Sequence, residues 1–389
     1  MSFKASLLSI FMMLAVAVGF GQVTVDGPDG LIGVDENQNV ITTAVPFLTI
    51  SPDARAAGMG DVGVATSPDM NAGYWNPAKI VFNTNEYGGA ISYTPWLGKI
   101  LNDMWLTYLS GYYKISREQA VGISFRYFNL GDITFRDRAG EITGDHRPSE
   151  LAVDASYSRM LSEHFSIGVA ARYINSNLTG SLIDQDARPG HSVAVDIGVF
   201  YDKDLTLFGR NSNLALGLDI ANIGRKITYT DENNRDFIPT NLRFGTAYRL
   251  DIDPFNSVTL AIDVNKLMVP TPNPADTTSS DQTLLSGMFS SFGDAPGGFE
   301  EELKEYILSF GAEYWYNNTF AVRAGYFNES EEKGDRKYLT VGVGFRYQVF
   351  GVDFAYLLPK ERSHPLAETV RFTLLFDFKN SEPQDSVTE

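Results

Sequence analysis

The chain has 389 residues, 48 of them acidic and 31 basic, for a net charge of -17, and no cysteine. That acidity argues against a nucleic-acid partner, since phosphates would be repelled. The lack of cysteine removes disulfides, thiolate metal sites and a lipid-anchored cysteine. Hydrophobic residues make up 43% and mean hydropathy is -0.13. This is too polar for a helical membrane protein, but strands that show water every second residue average to such a value.

The amino-terminal end reads as an export signal over residues 1–21. Lys4 is the basic start, Leu7 to Val18 the apolar run, and Gly19-Phe20-Gly21 the small-residue end. The run is too short to span a bilayer. Residues 22–86 are rich in Gly, Pro, Asp and Asn and form a separate extension.

From Tyr87 the pattern changes to strict alternation, the mark of a strand with one apolar face. It predicts strands at 87–96, 104–115, 119–130, 149–161, 165–177, 191–202, 213–223, 239–250, 257–267, 303–316, 319–328, 338–349, 351–358 and 368–379. Each is close to the roughly 9–11 residues that a tilted strand needs to cross hydrocarbon. Short connections (116–118, 161–164, 251–256, 317–318, 350–351, and a somewhat longer one at 203–212) alternate with long ones (131–148, 178–190, 224–238, 268–302, 329–337, 359–367). That sorting follows the outer-membrane pattern of short periplasmic turns and long outer loops. The fold expected is all-β, a transmembrane antiparallel β-barrel of about 14 strands over 87–379, with both termini and a polar tail, 380–389, in the periplasm.

The predicted faces agree between segments. Val121, Ile123, Phe125 and Tyr127 should meet lipid, as should Val193, Val195, Ile197 and Val199, and Leu339, Val341, Val343, Phe345 and Tyr347. Opposite them recur glycines and charges: Arg126, Arg172, Asp196, Asp219, Arg243, Arg249, Asp263, Glu313, Arg323, Arg346, Asp353, Arg371 and Asp377. These could line a polar pathway, or pair with one another and hold a plug. Buried charges need partners, and the near balance of signs favours pairing.

The extension contains PFLTISPDARAAGMGDVGVATSPDMNAGYWNPAKI, residues 46–80. Such a Gly- and Asx-rich stretch makes only short helical turns and tight loops, and it precedes a barrel wide enough to need filling. A hatch folded into the lumen is expected, with Gly58, Met59, Gly60, Asp61, Trp75, Asn76, Pro77 and Ala78 as its motif. The Ala/Gly-Met-Gly run and the Asn-Pro-Ala tripeptide resemble the hatch of FadL-type fourteen-stranded barrels. The longer string SPDARAAGMGDVGVATSPD followed by YWNPAK resembles the PorV (LptO) family of the type IX secretion system.

That resemblance implies a shuttle or adaptor and no enzyme. Its implied partners are the giant translocon barrel, the C-terminal signal domains of cargo, and a sortase-type surface protein that releases cargo or attaches it to lipopolysaccharide. Neither cofactor nor metal is implied. The other reading is a FadL-like channel for small hydrophobic solutes.

Among the loops, 268–302 stands out. It opens on Val269-Pro270-Thr271-Pro272-Asn273-Pro274, which favours extended polyproline geometry. It continues through Leu284, Leu285, Met288, Phe289 and Phe292. An exposed apolar cluster on an outer loop marks a contact site, unless it folds down to cap the barrel. Leu182 and Ile183 in loop 178–190 are a second candidate. Glu329, Glu331, Glu332 and Asp335 lack the ligand spacing of a calcium loop and read as solvated charge. The histidines, His146, His164, His191 and His364, show no metal spacing, and no GxSxG elbow is present.

Overall fold

The computed structural model describes residues 39–96, 103–136, 141–178, 188–207, 209–229, 235–273, 282–359 and 369–378. The expected export signal, Leu182, Ile183 and the polar tail lie outside these residues.

Fourteen strands close into one antiparallel barrel. In chain order they are β1 (Tyr87–Pro95), β2 (Met104–Ser116), β3 (Gln119–Leu130), β6 (Ser149–Ser162), β7 (Phe165–Asn177), β8 (Gly190–Leu207) and β9 (Arg210–Gly224). They continue as β10 (Asn241–Asp253), β11 (Asn256–Leu267), β12 (Tyr306–Tyr316), β13 (Phe320–Asn328), β14 (Lys337–Tyr347), β15 (Phe350–Pro359) and β16 (Val370–Phe378). Every strand pairs with its chain neighbour, and β1 pairs with β16 to close the ring, with Tyr87 opposite Phe378 and Ile91 opposite Leu374. Closure matters because an unpaired backbone group in lipid costs several kcal/mol. No described helix is long and apolar enough to cross a membrane.

The alternation sorts the side chains as the sequence predicts. Ile123, Val193, Ile197, Val343 and Phe345 face outward and are exposed, while Arg126, Asp196, Arg323 and Asp353 face inward and are buried. The structure departs from the expected boundaries in several places, among them β10, which runs on to Asp253 and leaves a turn at Pro254-Phe255. β8 runs on to Leu207 and meets β9 at Arg210, so the connection there is a tight turn carrying Gly209 at φ 72°. The turn between β14 and β15 is Gln348-Val349, two residues earlier than expected, because Tyr347 pairs with Phe350 and Gln348 takes φ 53°. Loop 131–148 contains a small hairpin, β4 (Ile133–Arg136) with β5 (Ile142–His146). β12 starts at Tyr306 rather than 303 because Phe299–Lys304 is helical. Glu300, Glu301 and Glu302 occupy that helix's first turn and Lys304 its last, each charge matched to the helix dipole.

The route into β1 also differs from expectation. Asn39, the first described residue, is bonded to the β11–β12 and β13–β14 connections at the long-loop end. Residues 83–86 lie at the short-turn end, where Lys114 Nζ donates to Asn83 O at 2.7 Å and Lys114 N to Glu86 O at 2.8 Å. The segment between therefore runs the length of the lumen.

Candidate functional site

The lumen is occupied by residues 46–83, folded as four short pieces: 3-10 turns at Pro46–Thr49 and Pro77–Phe82, and single α-turns at Ala54–Ala57 and Ala72–Trp75. Asp53 caps the first α-turn, its Oδ1 accepting from Ala56 N at 2.9 Å, and its Oδ2 accepts from Trp75 Nε1 at 2.8 Å. Asn76 caps the second 3-10 turn through Ala78 N at 3.0 Å, and its Nδ2 donates to Val199 O on β8 at 2.9 Å. These caps explain why the motif needs Asp and Asn at its turn starts. Pro77 follows at the first turn position, where its missing N–H removes no bond.

Glycine on the wall admits the hatch backbone. A Cβ on Gly325 of β13 would lie 2.1 Å from Gly60 N, and one on Gly168 of β7 would lie 2.2 Å from Ala78 N. No side chain fits in such gaps. Gly60 itself has φ 71°, a left-handed conformation that favours glycine. Its neighbour Asp61 is also left-handed, at φ 59°. Asp61 is held in place because it accepts from Tyr338 Oη at 2.7 Å and from Arg371 at 3.0 Å.

Ion pairs fasten the hatch to the wall. Arg55 donates to both oxygens of Glu313, at 3.0 and 2.8 Å, and to Asp69 at 3.1 Å. Glu313 also accepts from Arg323 at 2.7 Å, which reaches Asp353 at 2.8 Å, which in turn accepts from Arg346. A second cluster joins Arg172 to Asp154, Asp196 and Asn222. Asp263 accepts from Gly63 N and Val64 N at 2.7 and 2.9 Å. Arg126 donates to Phe47 O and Leu48 O, and its guanidinium stacks over Tyr74 at 4.4 Å. The lumen charges thus pair with one another and hold the plug. Three exceptions are Asp219, which has Arg243 only at 3.9 Å, Arg249, which pairs with Asp251 in an exposed position, and Asp377, which is only half-buried.

Within the hatch, the Lys79 ammonium donates to Gly63 O at 2.5 Å.

Phe47 and Trp75 of the plug, with Trp96, Phe327, Arg243 and Arg371, help to line a cavity of about 790 Å³ at the long-loop mouth. Its floor includes Asp61, Tyr74 and Trp75, whereas Arg55, Ser67, Asp69 and Met70 face a cavity of about 380 Å³ at the short-turn end.

Above the mouth, the β11–β12 connection forms two helices, Leu284–Ser290 and Phe299–Lys304. Thr283 Oγ1 caps the first by accepting from Ser286 N. Met288 turns inward and is 4% exposed, while Phe289 is 71% exposed and Leu285 and Phe292 are exposed with it. Leu284 is half-buried. The structure therefore separates the five predicted contact residues, with Met288 serving as packing. It adds two that sequence reasoning missed, Phe299 at 75% and Leu303 at 54% exposed. Their i, i+4 spacing within an acidic stretch was the available signal. Glu302 and Glu305 pair inward with Lys266, at 2.7 and 2.6 Å, which leaves Phe299 and Leu303 facing out. The acidic residues of the β13–β14 loop are paired rather than simply solvated: Glu329 with Arg336, Glu331 with Lys337 and Glu332 with Lys304.

The family described as type IX secretion system protein PorV matches residues 33–274, a stretch that holds the whole hatch and nine of the barrel strands. The chain belongs to the PorV family. None of the curated proteins matches it. The toluene transporter TbuX of Ralstonia pickettii is similar in structure at 14% identity, covering 84% of this chain and 98% of that one with a TM-score of 0.46. A FadL homologue of Pseudomonas aeruginosa aligns at 11% identity over 88% of this chain and 100% of that one, with a TM-score of 0.43. With PorV membership and a closed, lipid-facing barrel together, the chain is an outer-membrane β-barrel of the type IX secretion system.

Proposed function

We propose that this PorV-family barrel is a non-enzymatic adaptor. It binds the folded C-terminal signal domain of secreted cargo at the cell surface, associates with the giant translocon barrel, and passes cargo to a sortase-type partner beside outer-membrane lipopolysaccharide. The observation that carries the reading is the contrast between a lumen filled by an ion-paired hatch and an outer face with exposed Leu285, Phe289, Phe292, Phe299 and Leu303. A molecule built this way has its work on the outside. Exposed apolar clusters of this kind mark contact surfaces, and aromatic anchors carry most of the energy of such contacts.

The test is mild-detergent copurification of Phe289→Ser with Phe292→Ser. The expected result is loss of translocon or cargo from a barrel that still assembles, and unchanged capture would sink the adaptor. One observation favours a channel for small hydrophobic solutes: the outer cavity has apolar walls at Phe47, Ile50, Trp75 and Phe327. A fatty acid or monoaromatic solute recovered from a partner-free monomer would support that second reading.

A further inference from the structure

The chain ahead of the hatch is fixed to the extracellular loops. Asn39 N donates to Glu332 O at 2.9 Å in the β13–β14 loop. The Asn39 side-chain amide donates to Glu301 Oε1 at 2.8 Å and to Pro272 O at 3.0 Å, both in the β11–β12 connection. Ala44 N donates to Phe237 O at 2.9 Å between β9 and β10. Residues 39–45 thus tie three separate outer loops together. From there the chain descends past Phe47 and Leu48, held by Arg126, to Asn83 and Glu86 at the periplasmic foot of β2. Only then does β1 begin.

We propose that residues 39–45 form a strap on the cell surface, reached by threading the chain through its own barrel, and that this strap belongs to the face that receives protein partners. Two observations join strap and face. Glu301, which holds the Asn39 side chain, lies in the helix that presents Phe299 and Leu303. Val40 and Thr42 are themselves exposed beside it. The partner that fits is a folded protein with an apolar docking surface, because Phe299 and Leu303, on the helix that anchors the strap, are the large apolar side chains this face leaves uncovered. A plug held at both mouths also cannot slide out to either side as a unit.

The surface location rests on barrel orientation alone, and only the partner half rests on the adaptor reading. The chain has no cysteine, so introduced ones report cleanly. Val40→Cys should react with a membrane-impermeant maleimide in intact cells as fully as Gly293→Cys in the outer loop. Glu118→Cys in a periplasmic turn should react only after permeabilisation. Reaction of Val40→Cys only after permeabilisation, or not at all short of denaturation, overturns the surface strap. Because a bound partner could shield position 40, Asn39→Cys with Glu332→Cys supplies a second measurement. A disulfide locking them should form under oxidant and shift mobility on a non-reducing gel, and its absence overturns the strap's placement. Finally, a bulky maleimide on Val40→Cys should reduce partner capture several-fold. Undiminished capture by a fully labelled protein removes the strap from the partner face, while the adaptor itself would still be judged by Phe289 and Phe292.

Discussion

The hatch and the β11–β12 helices are two short-helix regions of similar length with opposite physical designs. The hatch satisfies nearly every polar group it buries: Asp53, Arg55, Asp61 and Asn76 each have two or more partners, several of them on strands far away in sequence. It meets the wall through glycines, backbone against backbone. The loop helices turn Glu302 and Glu301 inward, onto Lys266 and Lys333, and turn Phe289, Phe299 and Leu303 to the outside. A region that buries its polar groups and fills a lumen is built to stay. One that exposes its aromatics is built to be covered by something else. Substitutions in the two regions should therefore separate assembly from partner capture.

The largest effect is expected at Gly325. With only 2.1 Å between a new Cβ and Gly60 N, Gly325→Val sets backbone against side chain on both sides. Ordinary overpacking costs about 1–3 kcal/mol, and here neither neighbour is a flexible side-chain end, so the hatch should leave its seat. Limited proteolysis should then cut between residues 50 and 83, which are protected in the parent. Retained protection would mean that the close approach does not hold the hatch.

Arg55→Ala should follow. It strips Glu313 of two of its hydrogen bonds and leaves the carboxylate with Arg323 as its one remaining cation. Breaking a buried pair from one side costs about 3–5 kcal/mol. The variant should show faster hydrogen exchange in the hatch with an intact barrel, as judged by heat-modifiable gel migration. A replacement of both Arg55 and Glu313 by apolar residues should lose less than the single change, since neither charge is then left alone.

Most of the barrel was legible because alternation at period two is a property of each strand by itself. Val193, Val195 and Ile197 sort from Ala194 and Asp196 with no knowledge of their neighbours. Closure, β1 against β16, followed from the even strand count and the need to leave no edge in lipid. The hatch was legible as a plug but not in its route. That residue 39 sits at the long-loop end depends on hydrogen bonds to loops 233 to 293 residues away, for which local sequence carries no signal. Phe299 and Leu303 escaped notice because the alternating pattern of β12 was extended back over them. The cue that stops it is the run Glu300 to Glu302 after Gly297-Gly298, which favours a helix start.

Asp61→Asn is expected to act more mildly. Its carboxylate joins Tyr338 and Arg371 at the floor of the outer cavity, and an amide of the same shape keeps one acceptor. Losing the charge-assisted bond to Arg371 should cost about 1.5–3 kcal/mol, visible as modestly faster exchange near Gly60 without loss of the hatch. Exchange that matched Arg55→Ala would show that the cavity floor, rather than the Glu313 chain, anchors the plug.

The smallest effect on assembly, and the sharpest on the comparison, is expected for Phe299→Ser. At 75% exposure the ring buries little on folding, and surface changes away from special features fall within about 0.5 kcal/mol. Heat-modifiable migration and hatch protection should match the parent. Partner capture should drop, because an aromatic anchor removed from a desolvated contact costs about 2 kcal/mol or more, roughly a thirtyfold loss in affinity. If Phe299→Ser instead loosens the hatch, the helices are part of the plug's support, and the outer face and the lumen would have to be treated as one cooperative unit.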